Sequence, residues 1–299
     1  MKTLSESCRW CLPGPRLRAY RCRVDRSREP TIRLCGGFDV TLGGDRVTPR
    51  LPGRQGRLVL AYLACNRRRT VTRDELIDLL WPIGPPARPD EVLGALLSKL
   101  RRALGPGVLD GRQELTFRLP TDASIDLELA TTAVERAETA LADGEARSAW
   151  EDAQAALSVI EGGFLPGFDG GWVQERRREV EEFRLRALGC VARAGLSLGG
   201  AELAAGERAA RELISAAPLS EPGYGLLMEI LASRGDVATA LQCSTVFVLR
   251  CGTNSGSLRA SASAVCMNAC WVAAIQTSRQ QGTRQSRRPR LRTGRSENS

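Results

Sequence analysis

Between Thr31 and Arg46 apolar and polar residues alternate: Ile32 and Leu34, then Phe38, Val40 and Leu42, interrupted by glycine pairs at 36–37 and 43–44. A period of two broken by glycine predicts short antiparallel strands. The period then lengthens. "GRQGRLVLAYLACN" sets Leu58, Ala61, Tyr62 and Cys65 on one helical face and ends at Asn66, where the Arg67 to Arg69 run begins. "TVTRDELIDLLWP" opens with Thr72 and, three residues on, Glu75, the signature of a capping box, and Pro82 stops it after Trp81, a candidate core residue. A third helix, Asp90 to Gly105, gathers Val92, Leu93, Leu96, Leu97, Leu100, Ala103 and Leu104 on one broad arc. "GPGVLDGRQELTFRLP" predicts a hairpin that turns at Asp110-Gly111 and carries Arg112 and Arg118.

Strands, three helices and a closing hairpin describe a winged helix-turn-helix over residues 31–120. From residue 121 to 242 helix follows helix, and glycines at 144, 200 and 235 are each followed by small residues. Such hinges let paired helices pack closely, as in a tetratricopeptide-like repeat. The repeat is irregular, with 35 residues between the last two hinges and 56 between the first two. The expected fold class is therefore an α+β winged helix-turn-helix followed by an all-α tetratricopeptide-like helical repeat domain.

Charge divides the chain at the same place. The 299 residues carry a net charge of +9, but residues 31–120 hold 15 basic and 9 acidic side chains while 121–242 hold 11 and 21. A basic domain sits beside an acidic one. The chain has no histidine, which removes Ser-His and Cys-His nucleophile pairs and His-ligated metal centres. Its two lysines, Lys2 and Lys99, follow no glycine-rich loop, so no phosphate-cradling P-loop can be written. No enzyme, cofactor or metal is expected. Cys35, Cys65 and Cys190 fall on apolar faces and read as buried thiols. The first residues lack an apolar signal core and "AVCMNACWVAAI" is too short to span a bilayer, so the expectation is a cytoplasmic protein with no membrane partner.

On the third helix Gly94, Ala95, Ser98, Arg101 and Arg102 are left facing outward. A small, polar, cationic face can approach base edges and phosphates in a major groove. Ser98, Arg101 and Arg102 are the candidates for base or groove contact; Arg54, Gln55, Thr72, Arg73, Lys99 and Arg112, at helix starts or on the hairpin, are candidates for phosphate contact. Arginines on an exposed face are often only solvated. Here the positive domain, the small-residue face and the basic hairpin coincide.

"LPGRQGRLVLAYLACNRRRTVTRDELIDLLWP" and "LLSKLRRALG" resemble the DNA-binding domain of the Streptomyces antibiotic regulatory protein family. "GFLPGFDGGWVQERRREVEEFRLRALGCVARAG", residues 163–195, is similar to the bacterial transcriptional activator domain that follows it in that family. The resemblance implies that 90–104 is a recognition helix for double-stranded promoter DNA, and that the helical module serves self-association as a homodimer, contact with RNA polymerase, or sensing. A transcriptional regulator, an activator, is the reading it favours; an interaction scaffold whose winged helix no longer binds DNA is the alternative. On residues alone "ERRREVEE" reads as a solvated, ion-paired helix face and Phe164 and Trp172 as packing residues.

Both ends of the chain read differently. Residues 1–30 have scattered arginine and proline and no periodic apolar pattern, so a disordered, dispensable extension is expected; Cys8 and Cys11 lack a nearby second pair to bind zinc. After Gln242 cysteines, β-branched runs and Ser/Gly filler replace the helical pattern, and the spacing of Cys243, Cys251, Cys266 and Cys270 matches no compact zinc knuckle. Back-translated and read one nucleotide earlier, Cys266 to Trp271 can encode His-Glu-Arg-Leu-Leu, with the Glu forced. Residues 243–299 are therefore expected to be a disordered, out-of-frame tail. The last helix pair would then lack its second member, leaving Leu226, Leu227, Ile230 and Leu231 partly uncovered.

Overall fold

The computed structural model describes residues 32–121 and 123–254; the expectations for 1–30 and for most of the tail lie outside these residues. The alternating stretch forms β1 (Ile32–Arg33), β2 (Asp39–Leu42) and β3 (Asp45–Arg46), an antiparallel sheet in that order with Ile32 opposite Val40 and Leu42 opposite Asp45. Three helices follow: α1 (Gly53–Cys65), α2 (Arg73–Leu80) and α3 (Pro89–Leu104). A second antiparallel sheet, β4 (Val71–Thr72), β6 (Glu114–Phe117) and β5 (Leu109–Asp110) in spatial order, supplies the wing.

The helical domain contains α4 (Asp126–Ala142), α5 (Ala146–Ile160), α6 (Gly171–Leu198), α7 (Gly200–Ala216), α8 (Glu221–Ser233) and α9 (Val237–Asn254). They pack as hairpins α4/α5, α6/α7 and α8/α9, whose bends contain Gly144, Gly200 and Gly235. The long gap between the first two hinges is filled by the 161–170 loop and by α6, which is 28 residues long. Small residues bring α6 and α7 together: a Cβ on Gly195 would lie 2.7 Å from the Glu202 carbonyl oxygen and 3.1 Å from Gly206 Cα.

The expected boundary at Gln242 falls inside α9. Ala240, Ser244 and Phe247 recur at helical spacing and are buried, and Phe247 packs against Tyr224 with ring centroids 4.9 Å apart. These contacts make 243–254 the second half of a helix and not the start of a disordered tail. Leu226, Leu227, Ile230 and Leu231 are each at most 5 % exposed, so α8 has the partner it was expected to lack.

The two domains share one core. Apolar side chains of the winged helix, from Ile32 to Phe117, are continuous with Ile125, Val134, Ile160, Phe164, Leu165, Val173 and Val180 of the helical domain. β1 is stitched to that domain by a parallel bridge from Ile32 to Ile125, an antiparallel bridge from Cys35 to Phe164, and donation from Leu165 N–H to the Leu34 carbonyl at 2.8 Å. The buried Asp126 carboxylate accepts from the N–H groups of Leu34, Cys35 and Leu127 at 2.7–2.9 Å. Burial raises its pKa, against those three donors, which favour the charged form. Leu165 is fully buried in the left-handed region at φ 42°, and Arg177 holds this bend through the carbonyls of Phe164, Leu165 and Phe168 at 2.9–3.0 Å.

This seam explains why α1 buries more than the face its periodicity suggests. Val59, Leu60, Leu63 and Ala64 are buried together with Ala61, while Leu58, Tyr62 and Cys65 are half-buried and turn to the helical domain, Tyr62 meeting Trp172 edge-on at 5.0 Å. Trp81 is half-buried and caps α2.

Candidate nucleic-acid interface

α3 is seated by Leu93, Leu97, Leu100, Ala103 and Leu104, all buried. Val92, expected on that arc, is 42 % exposed, because the first turn projects beyond the core that begins at Leu93. Arg73, the first residue of α2, anchors the start of α3 by bonding the Asp90 carboxylate at 2.9 Å and the Asp90 carbonyl at 2.7 Å. Its side chain is mostly buried and engaged with Asp90. Thr72 is likewise engaged. It is the N-cap of α2, its hydroxyl accepting from Glu75 N–H while its own N–H donates to the Glu75 carboxylate at 3.0 Å.

The same carboxylate accepts from Tyr62 at 2.9 Å and Arg69 at 2.6 Å. With Arg69 as the largest cause, these donors lower the Glu75 pKa to about 2. Cys35 and Cys65 go the other way: burial raises both thiols to about 12, so neither is a nucleophile near neutral pH. Among the described residues no group of His, Cys, Asp or Glu is placed to hold a metal ion.

Arg101 is engaged within the protein. Its guanidinium turns to the wing, where Nε donates to the Leu109 carbonyl at 3.1 Å and Nη2 to the Gly111 carbonyl at 2.6 Å. It lies next to a tight bend that only glycine can make, since Gly111 has φ 94° and a Cβ there would lie 1.8 Å from the Glu114 carbonyl oxygen. The arginine meets backbone because the wing folds back beside the last turn of α3. These bonds tie the last turn of α3 to the wing. Arg54 pairs with Asp169 at 3.4 Å and lies 5.2 Å from the Phe168 ring centroid, on the domain seam.

Ser98, Lys99 and Arg102 remain on the outer face of α3 with Ala95, all exposed, and Arg112 is exposed at the wing turn. Lys99, Arg102 and Arg112 belong to no ion pair among the described residues. Gln55 is exposed in the first turn of α1. The helix carries Asp90 and Glu91 in its first turn and its cations in its last, so the free positive charge concentrates at the end nearest the wing.

The bacterial transcriptional activator domain family matches residues 125–244, the span of α4 to the middle of α9. Regulatory protein AfsR of Streptomyces coelicolor is 34 % identical over 188 residues, covering 62 % of this chain and 19 % of that protein. The chain is similar to this regulator, and its helical domain matches the bacterial transcriptional activator domain. Transcriptional regulatory protein EmbR of Mycobacterium tuberculosis is 36 % identical over 87 residues, 29 % of this chain and 22 % of that one. A solved structure of Mycobacterium tuberculosis EmbR, in complex with a low-affinity phosphopeptide, superposes with a TM-score of 0.66 at 22 % identity, over 83 % of this chain and 72 % of that chain, and shows the fold. The chain spans about a fifth of the length of the curated relatives. In this chain the winged helix shares one core with the helical domain, and the sequence showed only one of the two apolar faces of α1 that take part in it. The engaged arginines, 67, 69, 73 and 101, had no signal that set them apart from free ones, because their partners are 6 to 61 residues away.

Proposed function

We propose that this protein is a sequence-specific DNA-binding transcriptional regulator, an activator, that lays α3 in the major groove of promoter DNA with the wing on the flanking backbone. The observation that carries the reading is the surface of Ser98, Lys99, Arg102 and Arg112, exposed and outside every ion pair among the described residues, on a frame that three internal arginine contacts hold in place. Ser98 and Arg102 serve base or groove contact, and Lys99, Arg112 and Gln55 phosphate contact. The acidic helical domain, joined to the winged helix by a common core, contacts RNA polymerase or a second copy of the chain.

Selection of bound sites from random DNA, followed by a mobility-shift titration across salt, tests this. With two phosphate-neutralising side chains, Lys99 and Arg112, log affinity should fall with log salt at a slope of about −2, roughly −0.9 for each contact. No selected sequence, or an affinity indifferent to salt, overturns the reading and leaves the helical repeats as a protein scaffold.

A further inference from the structure

We propose that the cleft between the two domains, at the C-terminal end of α1, is a binding site for a small apolar carboxylate. The cleft encloses about 480 Å³. Ligand sites of this size, roughly 300–1,000 Å³, concentrate at domain junctions. Its floor is apolar, made by Cys65 from α1, Ile125 ahead of α4, and Val180 and Phe183 from α6.

Three guanidiniums line the same cleft, of which Arg69 is held by Glu75. Arg68 is exposed and in no ion pair among the described residues. Arg176 is three-quarters buried; one nitrogen donates to Glu179 at 2.5 Å, and its Nε, shielded from solvent, has no hydrogen-bond partner. It stands close enough to the Cys65 thiol to oppose, in part, the burial that raises it. A guanidinium has five donors, so Arg176 has donors to spare above an apolar floor. Of the acidic residues around it, Glu128 is held by Arg67 through two bonds of 2.6 and 2.8 Å and Glu179 by Arg176, which leaves Glu135 on the exposed side. A carboxylate oxygen can accept from Arg176, by a turn of its guanidinium toward the cleft, and face Arg68, while an alkyl or aryl body covers Cys65 and Phe183. An ammonium of the same shape would have to approach both guanidiniums.

Such a ligand would touch the α1–β4 turn, where Arg69 leads through Glu75 to the cap of α2. Any effect on DNA affinity rests on the function proposed above; binding does not, and it is measured without DNA. Calorimetric titration of octanoate into the full chain should give saturable binding of one molecule per chain. Octan-1-ol and octylammonium should bind at least about tenfold more weakly, since a charge-assisted arginine pair is lost. Arg68→Ala and Arg176→Gln should each weaken octanoate by about tenfold. Thr132→Trp, at an exposed position on the cleft, should block it without lowering the melting temperature, and it carries the test if Arg176→Gln fails to fold. Absence of saturable octanoate binding overturns the proposal. So does octylammonium binding as tightly as octanoate, or octanoate binding unchanged in both Arg68→Ala and Thr132→Trp.

Discussion

The domain seam and the outer face of α3 are both polar and arginine-rich, yet they hold their charges differently. At the seam Asp126 has three backbone donors, Arg67 has Glu128, and Arg177 has three carbonyls. On α3 and the wing tip, Lys99, Arg102 and Arg112 have solvent. The distinction separates two costs of mutation. Removing a buried partner leaves the other group unsatisfied and lowers stability, whereas removing a solvated cation leaves the fold intact and alters only what binds there.

The largest effect should come from breaking the seam. Asp126→Ala leaves three buried N–H groups unpaired, at about 1–3 kcal/mol for each, so a loss of at least about 3 kcal/mol is expected in urea unfolding. If the shared core is what joins the domains, they should also begin to unfold in separate transitions. A variant that melts within a degree or two of the wild type would mean that the seam is not what holds them together.

Next comes the outer face. Arg102→Ala should leave the melting temperature unchanged and cost about 1–3 kcal/mol of discrimination between specific and random DNA. Lys99→Ala or Arg112→Ala should weaken both alike and reduce the salt slope by about one each. Equal changes of the specific-to-random ratio in all three variants would remove Arg102 from the base-reading role. Arg101 lies between the two regions. Arg101→Ala should loosen the wing, faster amide exchange at Leu109 and Gly111 being the direct readout, and lower DNA affinity without preference for sequence, because the groups it holds are backbone carbonyls.

The sequence pattern carried the strands, the three helices, the capping box and the wing, because each is set by spacing within a few residues. It also carried the outward face of α3 at Ser98 and Arg102. What the sequence did not show has one cause. Arg54, Arg73 and Arg101 were indistinguishable from free cations, since what engages each is Asp169, Asp90 or a wing carbonyl brought in by the fold. Leu58, Tyr62 and Cys65 did show a face, but nothing local says that it turns to a second domain. At Gln242 composition misled in the opposite direction. Whatever frame encodes them, Ala240, Ser244 and Phe247 keep a helical spacing, and that spacing suffices to cover α8.

The smallest effect sharpens the comparison through pH, because Glu75 belongs to both regions: it caps α2, beside α3, and receives Tyr62 and Arg69 from the end of α1 near the seam. Its pKa is lowered from 4.5 to about 2 by these donors, so the folded protein binds its proton more weakly than the unfolded chain does. By linkage, the stability it contributes is complete above the unfolded value and is lost as pH falls from about 4.5 towards 2. Glu75 is partly exposed, so solvent screens the pair with Arg69 and the loss should be modest. Urea unfolding at stepped pH should show wild-type stability falling through that window, and Glu75→Gln, which keeps the shape of the cap without the titrating charge, should fall less steeply there while matching the wild type in its response above pH 6 or so. Parallel curves for the two proteins would place the acid sensitivity elsewhere, with other carboxylates held below their ordinary pKa, such as Asp39 by Thr48 and Arg46 and Glu138 by Arg186.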